Sequence, residues 1–120
     1  VKRNEKEKKE KRIEWVLIKT KTKVLLKRNK NSGIWQNLWL LPDKGFLSLD
    51  KIKNLDPVEK NFPNFVHHLS HKKLLISLKI YTIKNKDRLS INRNLYNWVN
   101  ISDSVNMGVP KPVREILNKI

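Results

Sequence analysis

The sequence predicts a single mixed α/β domain of the α+β type, in which about five strands form a sheet and two helices pack on it. Residues 74–83, LLISLKIYTI, have the two-residue period of a strand. One face of that strand carries Leu74, Ile76, Leu78 and Ile80. Near the C-terminus, apolar residues recur with helical spacing at Val113, Ile116, Leu117 and Ile120. This helix therefore presents one apolar stripe to the sheet.

The N-terminal third predicts a β-hairpin. Residues 1–12, VKRNEKEKKEKR, show no apolar periodicity and predict a solvated linker end or frayed arm. Residues 13–19, IEWVLIK, are rich in β-branched and aromatic side chains and predict the first strand. A polar turn at residues 20–23 leads to a second strand that begins at Val24. The two strands are expected to pair as a hairpin.

Shorter elements fill the middle of the chain. Residues 28–33, RNKNSG, predict a loop, and residues 39–41 predict a short strand that Pro42 stops. Ser48 is expected to cap a short helix that runs through Leu55. Residues 65–69 predict a strand, residues 84–94 a polar loop and residues 96–101 another strand. Pro110-Lys111-Pro112 opens the final helix.

Composition narrows the class of partner. The chain has 27 Lys+Arg against 11 Asp+Glu, a net charge of +16, which points to a polyanion. Nucleic acid is favoured over membrane because no basic amphipathic helix is evident. A plain solubility surplus stays open, since lysines are spread through the loops. The absence of cysteine excludes disulfides and thiolate metal sites in this chain and fits a reducing compartment. No apolar run is long enough to span a membrane.

Five segments carry a family likeness: KVLLKR, GIWQNLWLLP, HHLSHKKLLI, YNWV and PKPVREIL. In this order the chain resembles the C-terminal domain of MutY-type A/G-specific adenine DNA glycosylases. The likeness covers nearly everything from Trp15 to Leu117. It implies a Nudix-like fold, in which a mixed β-sheet is packed between helices.

The resemblance also implies a two-part enzyme. An N-terminal helical domain, absent here, would hold an iron–sulfur cluster and the catalytic acids that excise adenine. Residues 1–12 would be the basic linker end after it, and residues 13–120 the domain that recognises 8-oxoguanine opposite adenine in base excision repair. The implied partners are that catalytic domain and double-stranded DNA with the 8-oxoguanine:adenine pair. The protein would be a cytoplasmic, nucleoid-associated monomer, and this segment itself would be non-catalytic and without a cofactor.

The resemblance assigns lesion recognition to Leu69, Ser70 and His71, which match a Phe-Ser-His loop of the family. Leu69 replaces the aromatic residue, which puts wedge-like stacking in question, although a leucine can still wedge apolarly. A hydroxyl both donates and accepts hydrogen bonds, which suits the oxidised guanine edge, and a neutral imidazole accepts from an exocyclic amine. The plainer alternative is that Ser70 shapes a turn and His71 caps a strand end.

Several basic residues are candidates for DNA phosphate contacts. Lys72 and Lys73 follow the Ser-His pair directly. Lys27 and Arg28, together with Lys30, form a second group. A third group consists of Lys84, Lys86 and Arg88. For any single lysine, an ordinary solvated surface position is the competing interpretation.

The remaining histidines and tryptophans favour structural roles. His67 and His68 are expected to point to opposite faces of a strand, one half-buried and the other near phosphate, with the order left open. A three-histidine metal site is disfavoured because no nearby carboxylate completes it. Trp35 and Trp39 favour packing in the core or at a hinge over base stacking. Trp15 and Trp98 are expected to be sheet residues.

Two other functions compete with lesion recognition. A Nudix hydrolase of oxidised nucleotides needs the run G-x5-E-x7-R-E-U-x-E-E-x-G-U, whose glutamates hold divalent cations. Starting this run at Gly45 puts Lys51, Glu59, Lys60, Pro63 and Asn64 at its charged positions. Metal binding is therefore expected to fail, and no metal site is predicted. A general basic RNA- or protein-binding module is the other alternative, and it gives the Ser-His pair no role.

Overall fold

The protein is a six-stranded mixed sheet with short helices, and the computed structural model describes residues 9–45 and 52–120. The strands are β1 (Lys9–Lys19), β2 (Lys23–Arg28), β3 (Trp39–Leu40), β4 (Val58–His68), β5 (Lys72–Thr82) and β6 (Tyr96–Asn100). Their order is β3-β2-β1-β5-β4, and β6 pairs with β2. Helices span Ile101–Ser104 and Lys111–Leu117, and a 3₁₀ turn spans Lys86–Arg88.

A parallel pair of long strands forms the centre of the sheet. β1 and β5 pair in register from Lys9↔Lys72 to Lys19↔Thr82. The prediction that residues 9–12 belong to a solvated arm was therefore wrong, because their backbone joins the sheet although their side chains are exposed. Backbone pairing with a neighbouring strand needs no apolar periodicity. Residues 1–8 lie outside the described residues, so the division at residue 12 stays a prediction.

β4 is an edge strand with a bulge. It starts at Val58, seven residues before the predicted strand, and pairs antiparallel with β5. Between the pairs Phe62↔Leu78 and Phe65↔Ile76, Pro63 and the next residue oppose a single residue of β5. Proline lacks the N–H that a ladder needs, so it is tolerated at the bulge of an edge strand. Because this half of β4 contains Pro63 and polar residues, its sequence does not show the pattern of a strand.

The predicted N-terminal hairpin is confirmed, but its strands soon separate. β1 and β2 pair at Lys19↔Val24, while β6 occupies the other edge of β2. The gap beside β1 is filled by the chain that follows β3. There the Val16 N–H donates to the Pro42 carbonyl at 2.9 Å, and the Lys44 N–H donates to the Glu14 carbonyl at 3.0 Å.

Two cores lie on opposite faces of the sheet. The main core contains the predicted apolar face of β5 and the stripe of the C-terminal helix, which confirms both predictions. Proline precedes and opens that helix, with Pro110 as its N-cap. The second core contains Val16, Ile18, Leu25, Tyr81 and Ile83, with Ile52 and Leu89 packed among them.

Two predicted elements differ from the structure at their ends. The first half of the helix expected from Ser48 through Leu55 lies outside the described residues; in the second half, Ile52 and Lys53 are helical and the next two residues form a turn. The predicted strand 96–101 ends at Asn100, because Ile101 begins a short helix.

We expect Ile116→Ala to lower the free energy of unfolding by about 3 kcal/mol, because the C-terminal helix docks on the main core through this fully buried side chain. The neighbouring Glu115 is exposed, so Glu115→Ala should change the free energy by less than about 0.5 kcal/mol. Urea denaturation of both variants measures the difference. Equal, small losses in the two variants would contradict this docking.

Candidate nucleic-acid interface

The hairpin that joins β4 to β5 displays the predicted lesion-reading residues. The pair His68↔Lys73 ends the ladder, and the Leu69 N–H donates to the Lys72 carbonyl at 2.8 Å. Ser70 and His71 occupy the tip between them, and both are exposed. The tip therefore offers a hydroxyl and an imidazole to a partner.

Leu69 differs from its two neighbours in the tip. Its side chain is half-buried and packs against the main core. A side chain held in this way anchors the hairpin and leaves only part of its surface for a wedge. The structure thus places Leu69, Ser70 and His71 together, with the first turned inward.

The burial of the two preceding histidines alternates, as expected for a strand, while the expected position of one of them near phosphate stays a prediction. His67 is half-buried and His68 is exposed. The His67 ring lies 6.4 Å from the Trp35 ring, and the Trp35 ring lies 6.0 Å from the Trp15 ring, centroid to centroid. This aromatic column connects β4 to β1 beneath the hairpin tip. Trp35 and Trp39 both pack against the main core, as predicted.

A buried asparagine organises the loop at residues 29–38. Asn29 is 8% exposed, and its amide Nδ2 donates to the Trp35 carbonyl at 2.9 Å and to the Ile34 carbonyl at 3.4 Å. Its Oδ1 accepts from the Asn31 N–H at 3.2 Å. The Asn37 N–H donates to the Asn29 backbone carbonyl at 2.6 Å. Within the loop, Trp35 and Asn37 have left-handed backbone conformations, with φ of 63° and 66°. Sequence reasoning missed Asn29, whose signal is an asparagine directly after a strand in a turn-rich segment.

A basic cleft of about 400 Å³ lies between this loop and the hairpin end of β5. Four basic side chains line it, against two carboxylates: Lys11, Arg12, Lys27, Lys72, Glu14 and Asp43. Lys27 Nζ lies 3.4 Å from Asp43 Oδ2, and Lys44 Nζ lies 2.9 Å from Glu14 Oε2. The side chains that line the cleft therefore have a net positive charge. Lys27 and Lys72 both line it, although the sequence placed them in separate groups.

The other predicted phosphate contacts have more varied surroundings. Lys73 Nζ lies 3.5 Å from Glu10 Oε2. The guanidinium carbon of Arg28 lies 5.7 Å from the centre of the Trp39 ring. The third predicted group, around Lys86, follows the far end of β5. Ten residue steps separate that end from Lys72, a distance of roughly 33 Å, so this group is remote from the tip.

Two side chains near the cleft have shifted pKa values. The hydrogen bond from Lys44 to the Glu14 carboxylate, and the charge of that carboxylate, raise the pKa of Lys44. Burial raises the pKa of the Tyr96 phenol, while the Lys27 cation lowers it. Both shifts favour the protonated form, so Lys44 stays cationic and Tyr96 stays neutral at neutral pH.

The positions that a Nudix hydrolase uses for metal have a different setting here. Glu59, Lys60, Pro63 and Asn64 all lie in β4, whereas the metal-binding run needs a helix. Glu59 is paired with Lys79 at 3.2 Å. Lys51 lies outside the described residues. Within residues 9–45 and 52–120, no group of three His, Cys, Asp or Glu side chains is placed to hold a metal ion.

No helix in the described part of the chain is long and apolar enough to cross a membrane.

The chain matches one protein family and two known sequences over most of its length. The family described as NUDIX domain matches residues 14–119. Two relatives from Buchnera aphidicola are both described as adenine DNA glycosylase. The one from subsp. Baizongia pistaciae (strain Bp) is 35% identical over 114 residues, which are 88% of this chain and 32% of the relative. The one from subsp. Schizaphis graminum (strain Sg) is 28% identical over 120 residues, 90% of this chain and 33% of the relative. The chain thus spans about a third of the length of these relatives.

Solved structures agree on the fold. The NUDIX domain of Shewanella oneidensis NrtR, complexed with ADP ribose, matches with a TM-score of 0.59 and 14% identity over 95% of this chain and 86% of that one. The E. coli ORF135 protein matches with a TM-score of 0.54 and 11% identity over 92% of this chain and 88% of that one. At such low identities the likeness concerns the fold alone. It confirms the predicted mixed-sheet architecture.

We expect Asn29→Ala to lower the free energy of unfolding by about 2 kcal/mol, because the buried Asn29 side chain loses its hydrogen bonds to the Ile34 and Trp35 carbonyls and to the Asn31 N–H. Hydrogen exchange of the Asn37 amide, which donates to the Asn29 carbonyl, should accelerate as the loop loosens. Urea denaturation and amide exchange measure the two effects. Asn31→Ala is the control, because the Asn31 side chain is exposed. Unchanged stability in Asn29→Ala would contradict its organising role.

Proposed function

The chain belongs to the NUDIX domain family, and from this premise we propose that it is the DNA-recognition part of an adenine DNA glycosylase in base excision repair. In the whole protein, a preceding domain that carries an iron–sulfur cluster hydrolyses the N-glycosidic bond of adenine. The present chain recognises 8-oxoguanine opposite that adenine. The protein acts as a monomer on cytoplasmic, nucleoid DNA. Support comes from the two relatives described as adenine DNA glycosylase, most of whose length lies outside the matched region.

The observation that carries this proposal is the exposed Ser70-His71 pair at the end of an anchored hairpin. Leu69 fixes the tip to the main core, and Lys72 lines the basic cleft immediately beside it. Polar groups that accept and donate hydrogen bonds are thus presented at the same end of the sheet as cations that attract phosphate. The hydrogen-bonding groups are needed to read a base edge directly, and the cations are needed to position the protein on a duplex.

Ser70 suits the oxidised edge of the lesion. Ordinary guanine offers an acceptor at N7 in the major groove. Oxidation at the neighbouring carbon turns N7 into a donor and adds a carbonyl oxygen. A hydroxyl can accept from the new N–H, which a reader of ordinary guanine has no need to do. Ser70 therefore favours the lesion over guanine.

His71 suits a second group of the same lesion, its exocyclic amine. An 8-oxoguanine in the syn conformation, paired with adenine, turns its exocyclic amine toward the major groove. A neutral imidazole nitrogen accepts from that amine. Because Ser70 and His71 are adjacent at the tip, one approach of the hairpin brings both groups to one base.

The cleft beside the tip supplies affinity without discrimination. Lys27 and Lys72 line it, and Lys73 and Arg28 complete the predicted set of phosphate contacts. The Lys73–Glu10 and Lys27–Asp43 pairs are partly exposed, so each contributes at most about 1 kcal/mol, and a DNA phosphate can compete with the carboxylate.

Hydrolysis of an oxidised nucleotide by this chain is disfavoured by the extended backbone of β4. Paired glutamates on one helix hold the metal ions in such enzymes, and the corresponding positions from Glu59 to Asn64 lie in a strand. We therefore propose that this segment alone is non-catalytic. Incubation with 8-oxo-dGTP and Mg²⁺ is expected to give no product above the buffer rate, and turnover would favour the hydrolase alternative.

We expect Ser70→Ala/His71→Ala to abolish most of the preference for 8-oxoguanine:adenine over guanine:adenine, because two hydrogen bonds specific to the lesion are lost. At about 1–3 kcal/mol per contact, the ratio of adenine-release rates on the two duplexes should fall by roughly 30-fold or more. Slow release from guanine:adenine should persist. Single-turnover assays of the full-length protein measure both rates.

The control is Ser102→Ala/Asn106→Ala, which removes two polar side chains from exposed positions outside the hairpin. It should leave the ratio unchanged. An unchanged ratio in the tip variant would mean that Ser70 and His71 only form a turn and that another surface reads the lesion.

We expect Lys72→Gln to weaken binding to both duplexes by the same factor and to reduce the slope of log affinity against log salt by about 0.9, the value for one phosphate contact. Lys73→Gln should have a smaller effect, since Glu10 already neutralises Lys73 in part. Fluorescence anisotropy over a salt series measures both slopes. A selective loss on the oxidised duplex would assign Lys72 to base reading instead.

A further inference from the structure

The connection between β5 and β6 carries basic residues that lesion reading leaves without a role. Lys86, Arg88 and Arg93 line a cleft of about 710 Å³ together with Lys23, at the start of β2. Among the residues that line it, Asp87 is the single acid. The sequence predicts phosphate contacts for Lys84, Lys86 and Arg88, but the remoteness of this group from the tip excludes it from the phosphates at the lesion.

Most of these cations form no ion pair with a carboxylate of the described residues. Lys86 Nζ lies 3.1 Å from Asp87 Oδ1, whereas no ion pair within the described residues involves Lys23, Arg88 or Arg93. Like charges gathered in one cleft repel each other and oppose the compact state. An external anion removes this repulsion, so the cleft is suited to a polyanionic partner.

The backbone that carries the cleft is fixed. Leu89 is 6% exposed and belongs to the second core. The Asn85 Oδ1 accepts from the Asp87 N–H at 3.0 Å, and the Asn92 Oδ1 accepts from the Asn94 N–H at 3.0 Å. The basic side chains therefore project from positions that need no ordering on binding, which reduces the entropy cost of a contact.

The distance between the hairpin tip and this cleft limits which polyanion can contact both. β5 runs from Lys72 beside the tip to Thr82, which spans roughly 33 Å. One turn of B-DNA rises about 34–36 Å, so phosphates on one face of a duplex recur at nearly the same spacing. A duplex that runs along the sheet from the tip therefore presents phosphate again at the far end of β5.

We infer that this cleft is a second contact for the same duplex and binds backbone phosphates about one helical turn from the base pair at the hairpin tip. The inference rests on the proposed function only in that the tip binds duplex DNA. Guanidinium groups match phosphate oxygens in bidentate geometry, which gives Arg88 and Arg93 the main role. A duplex held at the tip also offers its phosphates at high local concentration, which favours DNA over an acidic protein.

The test is the dependence of affinity on duplex length in the full-length protein. A short duplex has about six base pairs on each side of 8-oxoguanine:adenine, and two others extend it by about twelve base pairs on one side or the other. A 2′-fluoro group on the adenosine blocks base release. One of the extended duplexes should bind roughly tenfold more tightly than the short one, as expected for added hydrogen bonds to charged groups.

Arg88→Gln/Arg93→Gln should remove this gain and lower the salt slope on the extended duplex by roughly 1.8, the value for two phosphate contacts. Both residues are exposed, so the variant should keep its thermal midpoint. The control Lys111→Gln/Lys119→Gln removes two charges from exposed positions at the C-terminal helix and should retain the gain.

Equal affinity of the unaltered protein for all three duplexes would overturn the inference and point to an acidic protein partner. A gain that survives in Arg88→Gln/Arg93→Gln would overturn it as well. The same gain is expected with guanine:adenine in place of the lesion pair, because a phosphate contact does not read bases. Failure of lesion preference at the tip would therefore leave this measurement unaffected.

Discussion

The parallel pairing of β1 with β5 is the constraint on which the rest of the structure depends. Both strands bury apolar side chains on both faces, so each face needs a covering layer. The C-terminal helix covers one face, and the region around Ile52 and Leu89 covers the other. The same register places Lys9 beside Lys72, which carries the basic start of β1 to the hairpin tip. Fold and charge distribution therefore have a common cause.

The hairpin tip and the basic side chains beside it offer a partner different kinds of contact. Ser70 and His71 are hydrogen-bonding groups on an anchored turn, and such groups can distinguish one base edge from another. The surrounding lysines act through a screened, sequence-independent attraction. Carboxylates at Glu10 and Asp43 moderate this attraction without cancelling it.

The spacing of apolar residues in the sequence predicted the elements that bury an apolar face. It did not predict strand segments that only backbone pairing orders, or contacts between residues far apart in the chain. The alternation along β5 and the C-terminal stripe were sufficient, because burial requires them. The start of β1 at Lys9 and the bulge at Pro63 involve polar residues that only a neighbouring strand orders. Asn29 bonds to carbonyls five and six residues further along the chain, and Lys73 pairs with Glu10 across the sheet, so apolar periodicity predicts neither contact.

The bulge at Pro63 has a consequence for how this surface can diverge. Because side chains alternate along a strand, a shift of one residue in β4 would exchange its buried and exposed faces and place a different pair of residues at the tip. The fixed register at Phe62 and Phe65 opposes such a shift. A substitution at the tip leaves this register intact, whereas a single-residue insertion or deletion between the bulge and Ser70 would change which residues occupy the tip.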